Sequence, residues 1–176
     1  MKGRIDRTLI TADKIQEKVR ELGARISRDY RDSQIFAVCL LKGSLIFTSD
    51  LIRQITVPLT LDVMRASSYG HGTDSSGSVK ILQDLDADIG DKDVLVIEDI
   101  VDTGRTLWKT LDLLRFRKPR SLKVCSLLDK PSRRVLELHI DYIGFTIEDY
   151  FVVGYGLDYG EYHRELPYIG ILDPEG

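Results

Sequence analysis

Hydrophobic residues along the chain form two alternating patterns. Short continuous apolar runs predict strands covered on both faces, and such runs lie at 35–41, 59–64, 79–82, 94–97, 122–128, 142–145 and 151–153. Other segments predict helices at 11–30, where Thr11 can cap an apolar stripe, at 44–54, and from 105 onward. Strands that alternate with helices indicate an α/β fold with a mostly parallel central sheet.

Length and charge limit the possible classes of function. The chain has 176 residues, which is enough for one domain with a sizeable core, and no internal repeat is visible. Its formal net charge of −3 provides no general attraction for nucleic acid or anionic membranes, and no apolar run approaches membrane-spanning length. We therefore expect one cytoplasmic domain, 1–176, with no nucleic-acid or membrane partner.

The cysteines and histidines do not indicate a metal or disulfide framework. Cys39 and Cys125 lie in apolar runs, so we expect both to be reduced core residues. His71, His139 and His163 lack the spacing of zinc ligands.

The most informative segment is 94–107, where an apolar run ends in acidic residues and a small-residue loop. Glu98 and Asp99 follow the run, at the carboxyl end of a predicted strand, where open α/β sheets bind ligands. Asp102 comes three residues later, and a helix is predicted to begin just after the Thr-Gly pair at 103–104. A helix amino terminus attracts phosphate, whereas carboxylates suit ribose hydroxyls or magnesium. The segment therefore predicts a site for a phosphorylated sugar.

A purely structural explanation of these residues is also open. Glu98 and Asp99 can simply end a strand, and Asp102 or Thr103 can be an ordinary helix cap without a ligand. Three acids combined with Thr-Gly-Arg-Thr at a helix start favour the ligand site.

Residues 94–107 resemble the phosphoribosyl-pyrophosphate signature of type I phosphoribosyltransferases. From about 35 to 173 the chain resembles one branch of that family, the hypoxanthine-guanine phosphoribosyltransferases. The resemblance implies phosphoribosyl transfer from phosphoribosyl pyrophosphate to hypoxanthine or guanine, a Mg²⁺ cofactor, and a homodimer or homotetramer. It also implies the type I fold, with helices flanking the sheet, a small hood built from the N-terminal and C-terminal segments, and a flexible lid loop at about 67–77.

The resemblance assigns several residues of the signature to the sugar phosphate. Those implied to bind ribose or phosphoribosyl pyrophosphate are Glu98, Asp99, Asp102, Thr103, Gly104, Arg105 and Thr106. Asp102 is implied to be the catalytic base at N7 of the purine. The implied metal ligands are Glu98, Asp99 and Asp158.

Lys42 and Gly43 lie between a strand and a helix, where backbone amides and an ammonium group can cradle an anion. By resemblance they form the pyrophosphate loop, with an unusual backbone geometry possible at the peptide before Lys42, and Arg164 also contacts pyrophosphate. The alternative for Arg164 is a surface ion pair with Glu161 or Glu165.

A third group of residues matches the purine site of the family. Lys130 follows a predicted strand; its ammonium donates hydrogen bonds and accepts none, so it suits a purine 6-oxygen better than the amino group of adenine. By resemblance Lys130 contacts that oxygen, Phe151 stacks on the base, Val152 contacts it through the backbone, and Asp158 lies beside the purine and links to magnesium. Without a ligand, Lys130 would be a solvated lysine, Phe151 and Val152 would be core residues, and Asp158 would be a turn residue.

The segment 67–77 is too rich in glycine, serine and aspartate to hold regular structure. Composition alone favours a flexible hairpin connection. By resemblance, Ser68 and Tyr69 match the serine-tyrosine pair of a mobile lid that excludes water from the site.

Other classes of function stay open at this stage. A haloacid-dehalogenase-type phosphatase also has aspartates after a buried strand, but with Asp-x-Asp spacing, whereas Asp99 and Asp102 are three positions apart. A regulator that binds phosphoribosyl pyrophosphate and nucleic acid would need a basic face, which the acidic balance disfavours. Among catalysts, a xanthine-preferring enzyme is the near alternative, whereas Lys130, Phe151 and Val152 weigh against adenine and pyrimidines.

Overall fold

The computed structural model describes residues 3–68 and 79–173. In chain order the strands and α-helices are β1 (Arg4–Ile10), α1 (Ala12–Asp29), β2 (Ile35–Leu40), α2 (Leu45–Ile52), β3 (Leu59–Ser68), β4 (Val79–Gln83), β5 (Asp93–Val101), α3 (Arg105–Phe116), β6 (Ser121–Asp129), β7 (Tyr142–Thr146), β8 (Val152–Val153) and β9 (Ile169–Asp173). The predicted alternation of strands and helices is confirmed. The predicted cap is also present, since the backbone N–H of Lys14 donates to Thr11 Oγ1.

Within these ranges the larger of two sheets has six strands in the order β4-β3-β2-β5-β6-β7. Strand β2 pairs in parallel with β3 and β5, and β6 pairs in parallel with β5 and β7. Only the β3–β4 pair of this sheet is antiparallel in the part of the chain that the structure describes. The mostly parallel central sheet is therefore confirmed.

Strand β5 shows how the sheet builds a core on each face. Its consecutive side chains point to opposite faces, and residues 94–97 are all fully buried. Leu95 and Ile97 pack into the cluster that contains α1 and α2, whereas Val94 and Val96 pack into the cluster that contains α3. This two-sided burial explains why the strand is a continuous apolar run in the sequence.

Strand β5 extends past the two carboxylates that the sequence places at its carboxyl end. It continues to Val101, so Glu98 and Asp99 lie in its last residues and not at its final position. The reason is pairing with β6, whose register continues from Glu98 opposite Ser126 to Val101 opposite Asp129. Backbone hydrogen bonds thus extend the strand past the point where its side chains turn polar.

Strand β3 also runs further than predicted, to Ser68, because it pairs with β4 on its free edge. The predicted resumption of pairing at Val79 is confirmed by the same pair, which joins Ser68 to Val79. The remainder of the predicted lid at 67–77, including Tyr69, lies outside the described residues.

A small second sheet joins the two ends of the chain. Strand β9 pairs with β1 and β8, both antiparallel. The sheet is built from the N-terminal and C-terminal segments, which are the segments that the resemblance assigns to a hood; the hood itself stays a prediction. The hydrophobic pattern alone predicts neither β1 nor β9. Strand β1 has one buried residue, Ile10, and three of its seven residues are charged, so its strand conformation depends on pairing with the distant β9.

Cys39 and Cys125 are both free and buried, as predicted. Across the described ranges, no helix combines the length and the apolar character needed to cross a membrane.

A buried charged group closes the amino-terminal edge of the sheet. Asp93 accepts hydrogen bonds from Arg120 Nε at 3.0 Å and from Ser121 Oγ at 2.7 Å. The bonds from Arg120 lower the pKa of Asp93 to about 2, although burial opposes the shift.

We expect Asp93→Asn to lower the free energy of unfolding at pH 7 by about 1 kcal/mol, because a charge-assisted pair is lost but its arginine is largely exposed. A carboxylate with a lowered pKa stabilises the fold above its ordinary pKa, near 3.9, and this contribution is lost as pH falls toward about 2. Urea unfolding of both proteins across this range should show the difference shrinking. A difference that is independent of pH would contradict this origin.

Candidate active site

Two adjacent carboxylates lie near the carboxyl end of β5. The backbone N–H of Asp99 donates to Glu98 Oε1 at 3.2 Å, and the N–H of Ile100 donates to Asp99 Oδ1 at 2.8 Å. Burial, together with the neighbouring Asp99 carboxyl, raises the pKa of Glu98 well above its ordinary value. Two like charges held this closely are stabilised by a cation or by hydroxyl groups, which are the partners that the sequence predicts for them.

The turn that follows β2 packs directly against these acids. A Cβ atom on Gly43 would lie 1.7 Å from Asp99 Oδ2, and a Cβ atom on Gly156 would lie 2.0 Å from the Gly43 carbonyl oxygen. The turn after β2 therefore lies against the Asp99 side chain, and the segment at Gly156 lies against the backbone of that turn, both closer than a Cβ atom allows. The peptide between Leu41 and Lys42 is cis, in agreement with the unusual geometry that the resemblance implies there.

The loop after β5 leads into α3 as predicted, since the helix begins at Arg105. Gly104 is the residue before the first helical position and has a left-handed backbone with φ of +80°. The alternative that Asp102 or Thr103 is an ordinary helix cap is therefore wrong, although Thr103 Oγ1 accepts a hydrogen bond from the Arg105 N–H at 3.4 Å. The loop and helix start line a cavity of about 200 Å³ together with Glu98.

Asp102 is held by two arginines that the sequence reasoning missed. Arg133 Nε donates to Asp102 Oδ1 at 3.3 Å, and Arg134 Nε donates to the Asp102 carbonyl oxygen at 3.1 Å. Arg134 also donates to the Val101 carbonyl oxygen and pairs with the Asp129 carboxylate. The arginines follow Lys130 in the sequence as a short basic pair, but no local pattern indicates that they turn back onto the β5 loop.

Lys130 is buried, with 6% of its surface exposed, so the alternative of a solvated lysine is wrong. Its backbone N–H donates to the Val101 carbonyl oxygen at 2.9 Å, which joins the ends of β5 and β6. Its ammonium donates to the Tyr150 carbonyl oxygen and lies 3.7 Å from Asp149 Oδ1. Asp149, a second residue missed from sequence, also contacts Arg133 at 3.4 Å.

Phe151 and Val152 differ in their environments. Phe151 is 47% exposed, and its ring meets that of Tyr159 edge to face with 5.4 Å between centroids. Val152 is buried in β8, opposite Ile171 of β9. The core alternative is thus wrong for Phe151, whose ring can accept a stacked base, and correct for the side chain of Val152.

Lys42 and Arg164 come together although 122 positions separate them in the sequence. Glu161 links them, since its Oε2 lies 2.8 Å from Lys42 Nζ and 3.4 Å from Arg164 Nη2. Arg164 also pairs with Asp158 at 2.8 Å and donates to the Gly156 carbonyl oxygen at 2.7 Å. The predicted ion pair between Arg164 and Glu161 is therefore present, but it is one part of a larger charged cluster.

The predicted metal ligands do not form a cluster of protein groups alone. Among the residues that the structure describes, no group of three or more His, Cys, Asp or Glu side chains is arranged to hold a metal ion. Asp158 instead pairs with Arg164 and accepts the Glu161 N–H at 2.8 Å. The pair Glu98 and Asp99 still fits magnesium, because this ion commonly takes one or two carboxylates and completes its shell with water and phosphate oxygens.

Comparison with known proteins places the chain in a family. Residues 9–160 match the model of the phosphoribosyl transferase domain. The chain is 50% identical over 174 residues to the hypoxanthine-guanine phosphoribosyltransferase of Bacillus subtilis, covering 99% of this chain and 97% of that protein. It is 51% identical to the bifunctional protein TilS/HprT of Listeria monocytogenes, of which it spans only 26%.

The fold gives the same result. A crystal structure of a hypoxanthine phosphoribosyltransferase from Staphylococcus aureus superposes with a TM-score of 0.94 at 49% identity, covering 97% of this chain and 93% of that one. The signature on β5 and α3, the full-length similarity and the shared fold agree, and the chain belongs to the phosphoribosyltransferase family, in its hypoxanthine-guanine branch.

Proposed function

We propose that this protein transfers the 5-phosphoribosyl group of phosphoribosyl pyrophosphate to hypoxanthine or guanine, forming the purine nucleotide and pyrophosphate. One observation carries the proposal. The adjacent carboxylates of β5, the glycine-led start of α3 and buried Lys130 lie at the same edge of the central sheet. These groups suit, in turn, sugar hydroxyls, a phosphate and a purine carbonyl.

In the proposed complex, Glu98 and Asp99 accept hydrogen bonds from the ribose hydroxyls. The segment 103–106 binds the 5-phosphate through backbone N–H groups and side-chain hydroxyls at the start of α3, where the helix dipole favours an anion. Lys42, Gly43 and Arg164 bind the diphosphate. The cavity of about 200 Å³ beside this loop supports the assignment.

The proposed reaction exchanges one bond at the anomeric carbon for another. The bond from that carbon to the pyrophosphate oxygen breaks and its electron pair leaves with pyrophosphate, so positive charge develops on the sugar ring. A purine ring nitrogen donates its lone pair to the same carbon. The proton at N7 passes to Asp102, which acts as general base, while the Lys130 ammonium stabilises negative charge at the 6-oxygen.

The partners of Asp102 and Lys130 support these roles. Arg133 contacts Asp102 and Asp149, and Asp149 lies 3.7 Å from the Lys130 ammonium. The two groups proposed to contact the purine are thus linked by a chain of alternating charges. Apart from Lys130, the side chains of these pairs are about half exposed, so each pair contributes little energy, but the pairs bring the proposed general base and the proposed 6-oxygen donor beside the same two side chains.

We also propose a magnesium requirement, with Glu98 and Asp99 as the protein residues that would hold the ion; Asp158, which pairs with Arg164 at 2.8 Å, is not assigned to it. When bound, magnesium neutralises diphosphate charge and so makes pyrophosphate a better leaving group. The raised pKa of Glu98, which is caused by burial and then by the neighbouring Asp99, supports this assignment, because a bound cation would favour the ionised carboxylate.

The assembly and location inferred from the sequence stay proposals as well. We propose a cytoplasmic location and a homodimer or homotetramer. Large exposed apolar side chains such as Phe116, at 86% exposure, and Trp108, at 39%, support the assembly. Light scattering during gel filtration measures the assembly directly.

The proposed function is tested by measuring nucleotide formation from phosphoribosyl pyrophosphate with hypoxanthine, guanine, xanthine, adenine and uracil, each with and without magnesium. We expect IMP or GMP only when magnesium is present. A preference for xanthine would change the proposed acceptor. Failure to form nucleotide from any base would contradict the proposal.

Replacing Asp102 by Asn should lower kcat on the order of 100-fold while changing the KM for phosphoribosyl pyrophosphate little, because the variant keeps its shape but accepts no proton. Steady-state kinetics measures both constants. Asp149→Asn is the matched control, since Asp149 is the other carboxylate that contacts Arg133. An equal loss of kcat in both variants would indicate that Asp102 acts only by positioning Arg133.

Replacing Lys130 by Met should raise the KM for hypoxanthine and guanine about 10- to 100-fold, because a buried charge-assisted hydrogen bond to the 6-oxygen is lost while the side-chain volume is kept. The preference for 6-oxopurines over adenine should shrink in parallel. Competition between hypoxanthine and adenine measures this ratio, and thermal unfolding verifies the fold. An unchanged KM for hypoxanthine would remove Lys130 from the purine site.

Replacing Asp99 by Asn should stabilise the free protein although it impairs catalysis. Burial first, and then the neighbouring Asp99 charge, raise the pKa of Glu98, so ionisation of Glu98 costs stability as pH rises through that raised pKa. Removing the Asp99 charge relieves the part of this cost that is due to Asp99, so we expect a modest gain in stability at high pH that shrinks at lower pH, where Glu98 is protonated. Urea unfolding without magnesium measures it, and a loss of stability at pH 8 would be the opposite result.

A further inference from the structure

The cluster that contains Lys42 and Arg164 includes a carboxylate with no role in the proposed reaction. Glu161 contacts both cations, through a 2.8 Å ion pair with Lys42 and a 3.4 Å ion pair with Arg164. These are the two side chains that the proposed function assigns to the diphosphate. Glu161 therefore occupies the same positive charges that a phosphate oxygen would use.

The backbone of Glu161 is held in a conformation that side chains rarely adopt. Its φ is +74°, in the left-handed region, and it follows Gly160, whose φ is +57°. Asp158 Oδ2 accepts the Glu161 N–H at 2.8 Å and thereby closes the turn. A non-glycine residue in this region costs free energy that its surroundings must offset, and such residues concentrate at functional sites.

The two acids of the turn differ in exposure and therefore in how easily they leave their partners. The side chain of Asp158 is 28% exposed and its pair with Arg164 is close, whereas the side chain of Glu161 is 64% exposed. An exposed ion pair is weak and is readily exchanged for another anion. The pKa of Glu161 is lowered by its hydrogen bond from Lys42, so this carboxylate is ionised at neutral pH.

We infer that Glu161 is a displaceable internal counter-ion of the diphosphate subsite: it pairs with Lys42 and Arg164 in the free protein, is displaced when a diphosphate binds, and returns when pyrophosphate leaves. This inference rests on the proposed function, which assigns Lys42 and Arg164 to the diphosphate. Its consequence is that Glu161 weakens diphosphate binding. The same competition accelerates release of the pyrophosphate product, because the carboxylate replaces the departing anion.

The test is the affinity of Glu161→Gln for inorganic pyrophosphate in the presence of magnesium, measured by calorimetry. Glutamine keeps the length of the side chain and the backbone demand at this position but removes the competing charge. We expect the Kd to fall about two- to tenfold, which is the range for loss of one or two exposed ion pairs. The KM for phosphoribosyl pyrophosphate should fall with it, and both effects should shrink at high salt because ions screen exposed charges.

Glu165→Gln is the matched control, because Glu165 is exposed, lies next to Arg164 in the sequence and carries the same charge. It should leave the Kd within about twofold of the original value, since in the described part of the chain Lys42 and Arg164 pair with Glu161 and Asp158 and not with Glu165, and an unpaired exposed charge is largely screened. Equal tightening in both variants would mean that net charge, and not displacement, is responsible, and would overturn the inference.

Lys42→Gln separates this inference from the proposed function. If Lys42→Gln weakens pyrophosphate binding while Glu161→Gln does not tighten it, the counter-ion role fails and the diphosphate assignment stands. If Lys42→Gln leaves the Kd unchanged, both the assignment of Lys42 and the inference built on it are wrong. Tightening by Glu161→Gln and weakening by Lys42→Gln together support both.

Discussion

The parallel pairing of β5 between β2 and β6 is the constraint on which the site depends. Ile97 lies opposite Cys39 on one side and Cys125 on the other, and all three residues are fully buried. Because parallel strands end at the same edge, the turn after β2, the acids of β5 and Lys130 after β6 converge there. The approach is close enough that Gly43 cannot carry a side chain without meeting Asp99.

Many charged side chains lie at this one edge of the sheet. Some of them have an oppositely charged partner among the described residues, whereas others do not. Asp102 and Lys130 are each paired through Arg133 and Asp149, and Lys42 is paired with Glu161. The adjacent acids Glu98 and Asp99 are instead left beside each other, and burial together with the neighbouring Asp99 raises the pKa of Glu98. The unliganded site thus has its least favourable electrostatics at the position proposed for ribose and magnesium. Substrate binding can relieve this repulsion. Part of the affinity for the substrate therefore comes from the stability that the free protein loses by holding these acids together.

The parts of the fold that were predictable are those with a local cause. Helix α1 has a cap at Thr11 and an apolar stripe, and the central strands are buried on both faces, so each produces a pattern within a short window. Strand β1 is half charged and forms by pairing with β9 from the other end of the chain. The last residues of β5 are strand because β6 continues beside them. The local sequence of β1 does not indicate its pairing with β9, and the local sequence at the end of β5 does not indicate its pairing with β6.

The same division holds for the site. The sequence by itself determined the order of strands and helices, the glycine-led start of α3 and the residue types of the family signature, because these follow from local periodicity and from motifs of fixed spacing. Only the tertiary structure decided that Lys130 is buried, that Arg133 contacts Asp102, and that Glu161 bridges Lys42 and Arg164. The physical reason is that burial and ion pairing are set by segments far apart in the chain, and these segments meet only when the sheet brings its strand ends to one edge.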